Sequence, residues 1–260
     1  MEINNENYYD VSGYMSASVF KAFLKCENTG LAMYQGKYSY PKTIALMVGS
    51  YVDAWCEGTL DEFQEKHPEI FNSRTGALKA DYTKANAIIE RIKSESLFME
   101  FLTGNKQEIV TGEIEGVPFK GKLDVFDGER IVDLKILRNV ERVMGKSAIE
   151  HWGYDIQLAI YQELKFQQTG KKFPCYLAIA TKEEPSDLTI VHVSQSMLDE
   201  ALEVVKKNLP RIKKIIDGEI KPRHCNQCAY CRETKEVKVI DGELLGLSDE
   251  DIFYITGEEV

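Results

Sequence analysis

Between residues 107 and 137 the apolar residues switch from helical spacing to strict alternation, and that switch constrains the fold more than any other feature of the sequence. The stretch "EIVTGEIEGVPFKGKLDVFDGERIVDLKIL" is broken by two turn dipeptides, Glu115-Gly116 and Asp127-Gly128. It therefore reads as a three-stranded antiparallel meander. Helical patterns flank it on both sides. Upstream, residues 16–35 open on the serine cap Ser16, carry Val19, Phe20 and Phe23 in phase, and meet Gly30 as a stop. Further helices are expected over residues 44–56 and 79–97. Downstream come a helix over about 149–168, strands over 174–180 and 188–193, and a helix over 196–217 ended by Gly218. This order predicts an α/β (α+β) fold: a mixed central sheet with an antiparallel meander flanked by helices.

The meander carries charges where strands usually carry apolar side chains. Alternation places Lys122, Asp124 and Phe126 on one face of the second strand, and Ile131, Asp133 and Lys135 on one face of the third. A hairpin closing at Asp127-Gly128 brings Asp124 close to Asp133. Two neighbouring carboxylates repel unless a cation lies between them. The residues leave two readings open. One is an Asp–Lys ion pair on a half-exposed strand. The other is an all-oxygen site for a hard ion such as Mg²⁺, with Lys135 orienting or deprotonating a water or supporting charge on a phosphate.

At 260 residues, 43% hydrophobic and 28% charged, the chain is long and apolar enough to bury a substantial core. No stretch has the length of a membrane span, and the first residues, "MEINNENYYD", lack the pattern of a signal peptide, so a cytoplasmic protein with no membrane partner is expected. A net charge of −10 argues against broad coating of nucleic acid. That average hides an asymmetry. Residues 204–238 hold ten basic side chains against four acidic ones, while residues 241–260 hold seven acidic and none basic. The expected organisation is one domain over 1–240 followed by an acidic tail over 241–260. Cys225, Cys228 and Cys231 in "HCNQCAYCRETK" recur every three residues, a spacing that suits a soft ion or a cluster. Cys56 and Cys175 lie in apolar contexts and read as core residues, and His67, His151 and His192 form no ligand spacing.

G-K-L-D, eight residues, then D-L-K resembles the core of the PD-(D/E)XK nuclease superfamily, nearest to the RecB-like and RecE-like phage exonucleases. The helix that follows, "WGYDIQLAIYQELKF", sets Tyr154, Gln157 and Tyr161 on one face, which matches the Gln-x-x-x-Tyr signature of RecB-like nucleases. The resemblance implies a metal-dependent exonuclease acting on linear, double-stranded DNA in phage-type recombination. Asp124, Asp133 and the Leu134 carbonyl would hold Mg²⁺ or Mn²⁺, Lys135 would position the attacking water, and Gln157 and Tyr161 would contact the phosphate or the metal shell. It also implies a ring-shaped homo-oligomer and a single-strand annealing protein as partner. Where these exonucleases carry a metal-ligating histidine after Gly-x-x-x, this chain has Gly49 and then Asp53 in "VGSYVDAWCEG". Asp53 is a competent ligand for either ion. Glu113 is a further acidic candidate. Some RecB-like nucleases bind a four-iron, four-sulfur cluster through one early cysteine and three late ones, and Cys26 holds the early position here. Zinc on the same four cysteines, or with His224 as the fourth ligand, is the alternative, and metal-free thiols are a third. The rival to an enzyme is a DNA-binding protein that keeps the fold and a metal–thiolate staple without turnover.

Overall fold

The computed structural model describes residues 3–141, 146–237, 239 and 242–256. Lys238 of the basic segment and Asp241, Glu258 and Glu259 of the acidic one lie outside the described residues. Five strands follow one another across a single sheet: β1 (Asn105–Ile114), β2 (Val117–Phe126), β3 (Ile131–Leu137), β4 (Cys175–Thr181) and β5 (Leu188–Val193). Glu115 and Gly116 both adopt positive φ, 49° and 71°, the geometry of a tight hairpin turn between β1 and β2. The pairings β2–β3 and β4–β5 are antiparallel, and β3–β4 is parallel, running from Ile131 opposite Cys175 to Leu137 opposite Thr181. A parallel pair needs a crossover, and here it carries α7 (Ala148–Trp152) and α8 (Tyr154–Thr169). The sheet is mixed, as the order of patterns predicts.

Chain contacts gather into two compact units. The first, the sheet unit, comprises residues 41–110 and 121–201; the second, the terminal unit, comprises 1–40, 111–120 and 202–260.

In the sheet unit, one sheet face presents Val125, Val132, Leu134, Ala178 and Ala180. These pack with Val48, Tyr51 and Val52 of α3 (Ile44–Glu57) and with Ile88, Ile89 and Ile92 of α5 (Ala80–Lys93). Each Val, Leu or Ile among them, fully buried, contributes about 1.5–3 kcal/mol. Alternation then turns Asp124, Asp133 and Lys135 to the other face, where α8 meets Asp133. The helix expected over 79–97 is shorter and breaks at Ser94-Glu95 before a brief α6 (Ser96–Phe101). The helix expected over 149–168 is likewise two helices, because Gly153 takes φ 63° and cannot continue a right-handed turn there.

In the terminal unit, the helix expected over 16–35 is also two: α1 (Ala17–Lys25), capped by Ser16, and α2 (Glu27–Tyr34). The break falls at Cys26, which is extended at φ −165°, and Gly30 is no stop but an interior residue of α2. A Cβ at Gly30 would lie 2.4 Å from Cγ of Phe23, so the glycine lets α1 and α2 pack closely. Most of the last long helix, α9 (Gln195–Ile216), belongs here, with Val205, Leu209, Ile212 and Ile215 buried. Its basic face is partly neutralised: Lys206 pairs with Glu203 at 3.3 Å, Lys213 with Asp217 at 2.6 Å, and Arg211 with Glu27 at 2.6 Å. The acidic segment is not a bare extension. It folds into α11 (Asp249–Thr256), and Asp249 accepts hydrogen bonds from the His224 N–H and the Asn226 amide, at 2.8 and 2.9 Å.

Candidate active site

Strands β2 and β3 pair at Phe126–Ile131 and Val125–Val132. Past that register stand Asp124 and Asp133, and here the Leu134 N–H donates to Asp124 Oδ2 at 3.0 Å. The Leu134 carbonyl on the same side accepts from Lys135 Nζ at 3.1 Å. A side-chain contact thus joins the strands where the acids stand. Lys135 Nζ also contacts Asp133 Oδ2 and lies 3.9 Å from Asp124 Oδ2. Both carboxylates therefore face one point, and a hard carbonyl oxygen joins them.

The electrostatics follow from burial. Asp133 is 1% exposed and Asp124 is largely enclosed. Burial and then the Asp133 charge push Asp124 well above the usual carboxylate range, against the pull of Lys135. Asp53, on α3, is pushed up to about 7, first by burial and then by Asp133 and Glu57, again against Lys135. Burial disfavours the ammonium of Lys135, but the Asp133 and Asp124 carboxylates outweigh it and raise its pKa. Carboxylates forced toward neutrality beside one another gain most from a cation, and two carboxylates with a carbonyl are the donor set a hard divalent ion takes. The residues fit such an ion. Asp53 feels this site electrostatically, but among the described residues no third acid closes on Asp124 and Asp133 as a tight three-ligand cage.

Helix α8 secures the arrangement. The Gln157 amide donates to Asp133 Oδ1 at 2.9 Å and to the Tyr161 hydroxyl at 3.2 Å. Tyr161 is buried against Gly121: a Cβ at that position would lie 2.8 Å from its ring, so only glycine lets β2 and the tyrosine approach this closely. Tyr154, one turn before Gln157, sets its ring 5.5 Å from Lys135 Nζ. Of the remaining candidates, Glu113 is exposed on β1, and the His151 ring packs edge-on against Trp152.

The second constellation lies in the terminal unit. The Sγ atoms of Cys26, Cys225, Cys228 and Cys231 all lie within 4.8 Å of one another, with Cys26 and Cys231 at 3.4 Å. His224 is not among them; its Nδ1 faces the Asn28 amide at 3.4 Å. Cys26 is therefore the fourth member, and it reaches the set because the α1–α2 break exposes its side chain to the late loop. Thr29 Oγ1 lies 3.1 Å from Cys228 Sγ. Burial works against charge on Cys228, but Thr29 and the Cys231 N–H outweigh it and bring its pKa to about 6.

A family profile described as a PDDEXK-like domain of unknown function, DUF3799, matches residues 16–234. The chain belongs to this family. A crystal structure of a protein from Eubacterium rectale, described as "Putative exonuclease", superposes with a TM-score of 0.89 at 39% identity, covering 94% of this chain and 97% of that one. A second solved structure, SSO0001, covers 86% of this chain and 96% of its own at 15% identity and a TM-score of 0.31, a likeness on which nothing rests. No curated protein matches the sequence. Among the described residues no helix is long and apolar enough to cross a membrane.

Within the DUF3799 domain, the matched span takes in Asp53, Asp124, Asp133, Lys135, Gln157, Tyr161 and all four cysteines of the thiolate set. Sequence reasoning missed the supporting roles of Gly121 and Tyr154. For Tyr154 a signal existed, since it shares the helix face of Gln157 and Tyr161. For Gly121 the signal was a glycine inside a strand pattern, which often marks a close approach of another chain segment.

Proposed function

We propose that this protein is a metal-dependent nuclease that hydrolyses phosphodiester bonds of linear DNA from an end. The observation that carries the reading is the convergence of Asp124, Asp133, the Leu134 carbonyl and Lys135 on one point of the sheet. The printed description of the Eubacterium rectale protein, at 39% identity over nearly the whole chain, supports it. Asp124 and Asp133 would hold Mg²⁺ or Mn²⁺, with Leu134 O as a neutral ligand. A divalent ion there supplies Lewis-acid activation of water and neutralises phosphate charge.

The chain's own groups do the rest. Gln157 fixes the Asp133 carboxylate by its amide, leaving the other oxygen directed at the reaction point. Lys135, kept cationic by its acid neighbours, serves as a donor that positions water and supports charge on the phosphate rather than as a base. Tyr161, pinned on Gly121, holds Gln157 in place.

The test uses linear and closed circular duplex DNA with Mg²⁺ or Mn²⁺. Linear DNA is expected to be degraded and the circle spared. Lys135→Ala should lose roughly a thousandfold or more in rate while still binding DNA. Intact linear DNA after hours with either ion, or unchanged turnover by Lys135→Ala, would overturn the proposal.

A further inference from the structure

The resemblance implies a four-iron cluster at the cysteines, and the sulfur positions speak against one. In a four-iron cluster each thiolate binds its own iron, so the sulfurs stand outside the corners of a cube and the whole cluster separates them. A single tetrahedral zinc ion instead gathers four sulfurs at about 2.3 Å from one centre, which sets them roughly 3.8 Å from each other. The four Sγ atoms here all lie within 4.8 Å of one another; Cys26 and Cys231 are 3.4 Å apart, and Cys225 and Cys231 are 4.0 Å apart. This leaves room for one ion and none for a cube. We infer that Cys26, Cys225, Cys228 and Cys231 hold a single tetrahedral zinc ion.

The surroundings match a closed structural zinc site. The Cys228 N–H donates to Cys225 Sγ and the Cys231 N–H to Cys228 Sγ, each at 3.3 Å, and the Thr29 hydroxyl lies 3.1 Å from Cys228 Sγ. Such donors stabilise thiolates and fix their directions. Cys26 and Cys231 are buried, and among the described residues no His, Asp or Glu joins the set, so four protein sulfurs fill the four positions of a tetrahedral ion. The site joins residue 26 to residues 225–231, tying an early turn to a late loop of the terminal unit.

The inference is independent of whether the carboxylate site turns over DNA, and its test needs no activity assay. Full-length protein is produced with iron and zinc both supplied, purified without oxygen, and analysed for metals, acid-labile sulfide and visible absorption. About one zinc per chain, negligible sulfide and a colourless solution are expected. Replacing the zinc by Co²⁺ should give the intense visible bands of tetrahedral thiolate coordination. Cys26→Ser should bind zinc at least tenfold more weakly, whereas Cys56→Ser should keep it. A brown protein carrying iron and sulfide, an octahedral cobalt spectrum, or chain with no bound metal would each refute the assignment. The wild-type measurements stand even where Cys26→Ser does not fold.

Discussion

The carboxylate site of the sheet unit and the cysteine site of the terminal unit both crowd metal-ligating side chains together, in opposite surroundings. At the first, an ammonium from the same strand lies among the acids: Lys135 meets Asp133, Asp124 and the Leu134 carbonyl. The site can form without an added ion. At the second, four sulfurs crowd together, and the donors to them among the described residues include the Thr29 hydroxyl and the Asn28 amide. If they hold zinc as inferred, the ion itself is what fixes their arrangement.

The sharpest way to break this contrast is to strip each site. Metal removal, or Cys26→Ser, is expected to cost the terminal unit several kcal/mol, on the order of what a structural metal contributes, and to expose residues near Cys26 and 225–231 to limited proteolysis. A chelator that extracts only the hard ion should leave thermal stability nearly unchanged. Equal losses from both treatments would erase the distinction.

Next in size is Gly121→Ala. The new methyl meets the Tyr161 ring at 2.8 Å, and overpacking of this kind costs about 1–3 kcal/mol. Its melting temperature should drop, and pairing it with Tyr161→Leu should recover part of the loss. Absence of recovery in the double variant would place the strain elsewhere. Gln157→Ala removes the amide that orients Asp133 and should weaken Mn²⁺ binding by roughly tenfold to a hundredfold, measured by calorimetry, with little change in melting.

A further effect concerns pH. Asp53 has a folded pKa near 7 against an ordinary value of 3.8. Below about 4 both folded and unfolded chains carry its proton; between about 4 and 7 the folded chain holds a proton that the unfolded chain has lost. Stability of the ion-free protein should therefore fall as pH rises through that window, and Asp53→Asn should flatten the fall. An identical pH slope in the variant would remove Asp53 from the electrostatics of the site.

The two regions also differed in how much their sequences disclosed. In the sheet unit the signals are local: alternation in β2 and β3, acids in phase with it, and a Gln-x-x-x-Tyr helix directly after. A strand's period of two fixes which side chains share a face, so the meeting of Asp124 with Asp133 was readable before any coordinates. The terminal unit depends on meetings across some two hundred residues. No local pattern says that Cys26 meets Cys231 or that Glu27 pairs with Arg211. The cysteine spacing marked Cys225, Cys228 and Cys231 as a set, but the sulfur positions that bear on an ion or a cube were not in it. Gly153 was equally quiet: a glycine at the head of a helical pattern does not reveal that it splits two helices.

The peptide groups of Leu134 have a consequence for how the site is probed. Its N–H serves one acid and its carbonyl serves the lysine, while its side chain points away into the apolar cluster on the opposite face of the sheet. Replacing the side chain at 134 will report on packing alone. A scan that truncates side chains one at a time is blind to this contributor, which only a change to the main chain itself, such as an ester in place of the amide, would make visible.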